Sequence, residues 1–463
     1  MTLAAAMAAS DWPTFRGPNS SGLAPDTNLP EEFGPGKNVV WKTELPPGHS
    51  SPVLVGDKIY LTGYDKENVY TISLDRATGK VLWRRPAPRP RRETLHKANS
   101  PTSASAASDG KNVYTFFTDF GLLSYGPDGN ERWRLPLGPF NNPMGQSATP
   151  VLAGKLLLLP LDQEAGSYFI AVEKDSGKIK WRVDRPEFTR GFSTPVLFKP
   201  KDGPLQVILA GSYKLVAYEV ETGKETWFVR GLTWQLKPTP VMDEQNIYVL
   251  GWAGEADPGQ QEAIPDFSDI LAKWDASKDG KLQKEELTEG NPRVVKGWGD
   301  FDLDNDGVLG ERDWKMYQSK RAVVNGVNAF RLGGKGDMTD RNRLWKYEKS
   351  LPNVPSPLLF QGVLYLCKEG GILTALDAKT GNVLKQARLT GAPGAYFASP
   401  VAADGKIYTI SEEGKVSVIN PGGDWEIIRV NDLGESVHAT PAIADNSIYL
   451  RTYSALYKFA LKN

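Results

Sequence analysis

Ser51-Pro-Val-Leu-Val-Gly56-Asp57-Lys-Ile-Tyr-Leu-Thr62, continued by Asn68-Val-Tyr-Thr-Ile-Ser-Leu-Asp75 and Ala77-Thr78-Gly79-Lys80-Val-Leu-Trp83, spells four short strands. Apolar residues alternate, and Gly, Asp and Asn mark the reversals between the runs. Glycine supplies the positive φ that such turns require. Four strands in about 45 residues make one blade of a propeller.

The stretch has copies. Ser/Thr-Pro followed by an apolar run recurs at Ser51, Ser100, Thr149, Thr194, Thr239, Ser356, Ser399 and Thr440, and the prolines lie 49, 49, 45, 45, 117, 43 and 41 residues apart. Thr/Ser-Gly-Lys turns sit at Gly79, Gly177 and Gly223, with Gly381 as a variant. A tryptophan falls in the fourth strand at Trp83, Trp133, Trp181, Trp227 and Trp345, whereas the sixth repeat has Lys385 there. The last repeat supplies three strands, and Asn38-Val-Val-Trp41 near the start supplies the fourth. The expected fold is therefore all-β: an eight-bladed β-propeller of four-stranded antiparallel blades, closed by the N-terminal strand, with no free sheet edge left at the seam.

The Asp-x-x-Thr-Gly-Lys-x-x-Trp form at Asp75 to Trp83 resembles the tryptophan-docking repeat of the pyrroloquinoline-quinone (PQQ) propeller superfamily. That superfamily includes quinoprotein alcohol dehydrogenases and the outer-membrane assembly lipoprotein BamB. The opening Asp11-Trp-Pro-Thr-Phe-Arg-Gly-Pro18 is similar to the start of BamB-like repeat proteins. The resemblance spans residues 11–463 and speaks to architecture, because the repeated tryptophans are packing residues.

Lys+Arg and Asp+Glu both number 55, so there is no basic stripe and nucleic acid is excluded as a partner. No apolar run is long enough for a transmembrane segment. Residues 1–10, small and apolar with an Ala-x-Ala-like end, read as a signal-peptide remnant or disordered tail. The chain is thus expected to be soluble and extracytoplasmic, periplasmic or secreted. Its single cysteine, Cys367, permits no internal disulfide and reads as a buried hydrophobe.

The long interval holds an insert, 255–325, that divides the ring into 11–254 and 326–463 within blade five. Two twelve-residue stretches in it have EF-hand spacing. The first offers Asp275, Ser277, Asp279, the Lys281 carbonyl and Glu286; the second offers Asp302, Asp304, Asp306, the Val308 carbonyl and Asp313. Gly280 and Gly307 permit the sharp bend, and helices are expected on both sides. Ser277 removes one charge from the first loop, and Asp313 is one methylene shorter than the usual Glu. Two Ca2+ ions are expected, as a structural clip rather than a switch.

Propellers carry functional groups where the innermost strands begin. His49, His96, Asn99, Gln146, Arg190, Gln235, Lys237 and His438 precede those starts and are the candidate funnel residues. His49 and His438 belong to neighbouring blades of a closed ring and are expected to meet across one seam. Ligand recognition, a transition-metal site and a merely wet channel all remain open on this pattern. The preferred function is a calcium-binding scaffold presenting its face or funnel to a protein, peptide or glycan. The alternative is a PQQ-dependent alcohol or sugar dehydrogenase. PQQ is not favoured: one cysteine cannot make the adjacent-cysteine ring found in many such enzymes, and no Glu/Asn/Asp set stands out. No nucleophile elbow, His-Glu-x-x-His or phosphate loop is present.

Overall fold

The computed structural model describes residues 11–287 and 290–461, so the signal-remnant reading of 1–10 lies outside the described residues. Eight four-stranded antiparallel blades form the ring. Blade one is Val53–Val55, Lys58–Tyr64, Val69–Asp75 and Val81–Ala87. The seam is closed as the sequence predicts. Val39–Glu44 pairs antiparallel with Ala455–Phe459, with Trp41 opposite Lys458, and completes the sheet of Ala442–Ala444 and Ser447–Arg451. The first three strands of each blade are mostly buried, and the fourth alternates between less and more exposed residues at the rim.

The periodic tryptophans explain the periodic glycines. Each ring lies flat on the turn glycine of the following blade. A Cβ added to Gly129 would fall 2.7 Å from Trp83, and one added to Gly177 would fall 2.7 Å from Trp133. Gly223 meets Trp181, Gly381 meets Trp345, and Gly79 meets Trp41 across the seam in the same way. Each of these glycines has φ between 72° and 76°. The indole nitrogens of Trp83, Trp133, Trp181 and Trp345 donate to Pro127, Lys174, Val220 and Ala378 carbonyls, at 2.9 to 3.1 Å. Aromatic area and one hydrogen bond thus recur at the blade boundaries.

Lys385 replaces the indole by reaching the Trp425 carbonyl (2.8 Å) and Asp424 (2.7 Å). Trp227 donates within its own blade to Gln206 (3.0 Å). There Gly336–Asp337 adds a short parallel fifth strand beside Trp227 and Phe228.

One expected repeat start is displaced. In blade two the inner strand is Ala107–Ser108, so Ser105 occupies the place assigned to Ser100. A ring of hydroxyls around the axis shows why. The backbone N–H of Ser51 donates to Ser105 Oγ (2.9 Å), and that of Ser105 to Thr149 Oγ1 (3.2 Å). The series continues from Thr239 to Ser356, Ser399, Thr440 and back to Ser51, at 2.9 to 3.0 Å. The Ser/Thr of the motif is therefore an inter-blade acceptor, and Ser100 is in a loop.

The segment before Val39 straps the lower end of the axis. Trp12 exchanges backbone hydrogen bonds with Leu54 (2.7 and 2.9 Å), and the Pro13 carbonyl accepts from Ser108 (2.9 Å). Asn19 pairs with the Leu197 backbone (2.9 and 2.7 Å). Arg16 Nη2 donates to the Pro357 (2.8 Å) and Pro400 (3.3 Å) carbonyls. Ala24 then bonds to Ala402, and Phe33 to Asn431. The strap joins blades one, two, four, six and seven before it enters blade eight.

The insert leaves blade five after Gly251 and returns at Gly326. It has its own apolar cluster of Phe267, Ile270, Leu282, Leu287, Val294, Phe301, Leu309 and Trp314. Phe267–Trp274 and Glu311–Ala322 are the expected outer helices. The inner two are reduced. Glu285–Leu287 is a single 3-10 turn, and the predicted helix before the second loop is broken at Gly297 into Pro292–Lys296 and Trp298–Phe301.

The docking geometry predicts a graded response to alanine. Gly154 (φ 60°) has open space around its Cβ position, whereas Gly177 (φ 72°) faces Trp133 ring atoms at 2.7 to 2.9 Å. Gly154→Ala is expected to cost about 1 kcal/mol, from left-handed backbone strain alone. Gly177→Ala should cost at least about 2 kcal/mol more, because an indole must also move in a tightly packed seam. Paired urea denaturation curves check the difference.

Candidate functional site: an axial pocket and a paired-loop insert

A cavity of about 390 Å³ occupies the axis above the strap. Its base is the hydroxyl ring of Ser51, Ser105, Thr149, Thr194, Thr239, Ser356, Ser399 and Thr440, with Phe15 of the strap among its lining residues. Segments just before the inner strands form the wall. His49, His96, Asn99, Gln235, Lys237 and His438 all line it, as the sequence anticipated.

Gln146 and Arg190 do not. Gln146 is buried and donates to the Asp162 carbonyl (2.7 Å). Arg190 is buried in an ion pair with Glu164. Both side chains satisfy polar groups of the Asp162–Glu164 segment, which lies outside the repeat's local pattern. The same segment carries a second buried pair, Asp162 with Arg185 (2.8 and 2.9 Å).

His49 and His438 meet across the seam as stacked rings, 4.1 Å between centroids and 2° from parallel. Phe397 extends the stack on His438 (4.7 Å, 15°). Burial, with the neighbouring His438 and Arg451 charges, lowers His49 to about 3. His438 is also lowered by burial, partly offset by Glu412 at 3.4 Å. At neutral pH the stack is therefore a pair of neutral imidazoles. His96 is exposed at the rim, and its Nδ1 accepts from the Ala98 N–H (3.2 Å).

On the far wall Lys237 Nζ donates to Gln235 Oε1 (2.6 Å) and the Trp252 carbonyl (3.3 Å), with the Trp252 ring 5.8 Å away. Burial and the nearby Arg190 charge lower Lys237 to about 7. Phe192, Trp252, Phe397 and Asn353 also line the cavity and were not among the candidate site residues. Phe192, Phe397 and Asn353 lay in the segments read as inner-strand starts. Phe15 and Trp252 lay outside them, on the strap and at the root of the insert.

The two insert loops share one hydrogen-bond plan. In the first, Asp275 accepts from Asp279 (3.3 Å) and Gly280 (2.9 Å) N–H groups; in the second, Asp302 accepts from Asp306 (3.2 Å) and Gly307 (3.0 Å). Position twelve folds back onto the backbone in both. Glu286 accepts from Ser277 and Gln283 (both 2.9 Å), and Asp313 from Leu303 (3.2 Å) and Gly310 (3.1 Å). The shorter Asp313 thus captures position two where Glu286 captures position three. Leu282 pairs with Leu309 in a short antiparallel bridge between the loops.

Asp302, Asp304 and Asp306 bring carboxylate oxygens within 4.8 Å of one another. Burial pushes the Asp313 carboxyl up, with Asp304 adding to the shift. The first loop has no matching carboxylate convergence among the described residues, as expected with Ser277 at its third position. The second loop touches the ring. Asn141 Nδ2 donates to the Leu303 carbonyl (2.5 Å), Asn305 to Asn141 Oδ1 (3.3 Å), and Arg312 to the Glu164 carbonyl (2.9 Å).

The sequence matches the family described as "Outer membrane protein assembly factor BamB" over residues 35–159, 165–264 and 320–463. No curated protein matches the chain. Among solved structures, BamB from Moraxella catarrhalis is similar with a TM-score of 0.56 at 12% identity, covering 91% of this chain and 99% of that one. A europium-containing methanol dehydrogenase gives 0.59 at 10% identity, covering 98% of each. The computationally designed Ika8 protein gives 0.53 at 10% identity over 90% of this chain and 98% of that one. At these identities the likeness is one of fold.

The buried imidazole stack predicts an acid-sensitive seam. A histidine depressed from 6.5 to about 3 takes up its proton more readily in the unfolded chain. Its stabilising contribution is complete above pH 6.5 and is lost as pH falls from there toward 3. Melting temperatures measured from pH 7 to 4 should fall less steeply for His49→Gln than for the parent protein.

Proposed function

This chain belongs to the family of the outer membrane protein assembly factor BamB, and from that premise we propose that it is an extracytoplasmic ligand-binding scaffold whose ligand, or the exposed end of a larger partner, enters the axial pocket. The observation that carries the reading is the composition of the pocket wall. It combines hydroxyls, three amides, three imidazoles, one lysine and several aromatic rings, on a base closed by the strap. Such a concave, mostly apolar site with a few convergent polar groups suits recognition.

The quinone-dependent dehydrogenase reading fits the wall poorly. A calcium–quinone centre needs carboxylates to hold the ion and to take the substrate proton. No Asp or Glu lines this cavity. Cys367 is buried in the strand Val363–Lys368 and is not among the lining residues. Where those enzymes need anionic oxygen, this wall presents imidazole, amide and ammonium. No helix among the described residues is long and apolar enough to cross a membrane.

In the same reading the insert is a calcium-binding clip. Loop two, with three converging aspartates, is the better site, and its contacts to Asn141 and Glu164 tie the clip to blade three. Extracellular calcium modules bind in the range of about 10⁻⁴ to 10⁻³ M.

Two experiments test these assignments. Calorimetry with PQQ plus Ca2+, and with a panel of sugars and sugar acids, should give heat for members of the panel and none for the quinone. Dye-linked alcohol oxidation by the quinone-loaded protein would overturn the scaffold reading. Calcium titration should give two binding events in the parent protein. Asp302→Ala should remove the tighter one and Asp275→Ala the weaker. Unchanged titrations in both variants would sink the clip.

A further inference from the structure

Around the axis, positive charge is buried without its counter-charge. Arg16 in the strap is 0% exposed and donates only to the Pro357 and Pro400 carbonyls, one residue beyond the hydroxyl ring. Its Nε and Nη1 have no partner. Arg451 is 1% exposed and donates to Ser50, Thr62 and Pro46 oxygens directly behind His49. Its Nε is unpartnered. Lys237 stands in the wall itself, with two of its three N–H groups used by an amide oxygen and a carbonyl. None of the three forms an ion pair with the chain's described carboxylates.

An isolated buried cation is costly, and proteins normally neutralise it with a carboxylate. This fold does so nearby, for Arg185 with Asp162 and for Arg190 with Glu164. The three axial cations lack such partners, and the lining holds no acid. Charges of one sign focused in a low-dielectric cleft attract the opposite sign.

The remaining wall groups describe the rest of the ligand. Asn353 lines the cavity, and its Oδ1 is buried without a donor. Asn99, Gln235 and the hydroxyl ring add donors and acceptors at several heights. Trp252, Phe192 and Phe397 offer flat apolar faces. That set suits a ring bearing hydroxyls on its edges and C–H groups on its faces. We infer that the axial pocket binds a sugar acid, with its carboxylate on the Lys237 ammonium and its hydroxyls on Asn353, Asn99 and Gln235. The inference rests on the pocket-binding reading above and adds the charge and class of the ligand.

The test compares acids with their neutral parents. Glucuronate is titrated against glucose, and galacturonate against galactose, by calorimetry on the full chain. At least one acid is expected to bind tenfold or more tightly than its parent. Lys237→Met should abolish that preference while the melting temperature stays near the parent value. Lys237→Arg should retain it, which a merely structural lysine would not require.

A bound carboxylate favours the charged lysine, so binding should take up protons near pH 8 and weaken as pH rises further. The other titratable groups facing or flanking the site are His49, His96 and His438 in the wall, Arg190 behind Lys237, and Lys320 of the insert helix, 5.0 Å from the Trp234 ring. Proton uptake in the parent that disappears in Lys237→Met therefore assigns the effect to Lys237. Equal or tighter binding of the neutral sugars overturns this inference and leaves the pocket reading standing. The same holds for an acid preference that survives Lys237→Met. Absence of binding by every sugar and every acid likewise overturns this inference.

Discussion

The fold depends on an indole laid flat against a backbone that has no side chain. At five blade boundaries, Trp41, Trp83, Trp133, Trp181 and Trp345 cover the glycine of the next turn so closely that no Cβ fits. Glycine is required there twice over, for its positive φ and for its missing methyl. The contact joins sheets rather than strands, so the ring closes without a continuous hydrogen-bonded barrel. It also sets the angle of one blade to the next and so the width of the axial cavity. The hydroxyl ring repeats the logic at the centre, where the backbone N–H of Ser51, Ser105, Thr239, Ser356, Ser399 and Thr440 finds its acceptor one blade on. Outer aromatic docking and inner hydrogen bonding therefore act together at the boundaries of blades eight to one, one to two, two to three and five to six.

Much of this architecture could be read from the residues alone, because both contacts are local and periodic. Gly-Lys and Trp recur at fixed offsets, and the strand without a blade at Asn38 to Trp41 found its place beside Ala455–Phe459. The false start at Ser100 shows the limit. Ser100 has the proline of the motif and Ser105 does not, yet the partner across the seam, Thr149, selects Ser105. Lys385 is a different case. A long ammonium reaches the carbonyl that an indole would otherwise address, so the motif fails in sequence while the function of the position survives.

The site was half legible. Six of the eight candidate wall residues line the cavity, because position before an inner strand is a property of the repeat. Gln146 and Arg190 turn away because buried acceptors at Asp162 and Glu164, on a neighbouring hairpin, claim them. Phe15 and Trp252 escaped notice because neither sits in a repeat: one belongs to the strap and the other to the root of the insert. The quoted stretch Asp11 to Pro18 did carry a signal. Two aromatics and an arginine packed into eight residues are poor material for a free tail and good material for a plug.

That plug couples the first residues of the described chain to the last blades made. Arg16 reaches a carbonyl 384 positions away, and Asp26 accepts from an N–H 420 positions away. During synthesis these groups have nothing to hold until the ribosome has delivered nearly the whole polypeptide. A ring lacking its last blades would therefore lose those anchors of the strap as well as its closed circumference, while the contacts of Trp12 to Leu54 and of Asn19 to Leu197 would remain. Closure of the circle and full anchoring of the strap are thus coupled, because both wait for the same C-terminal strands.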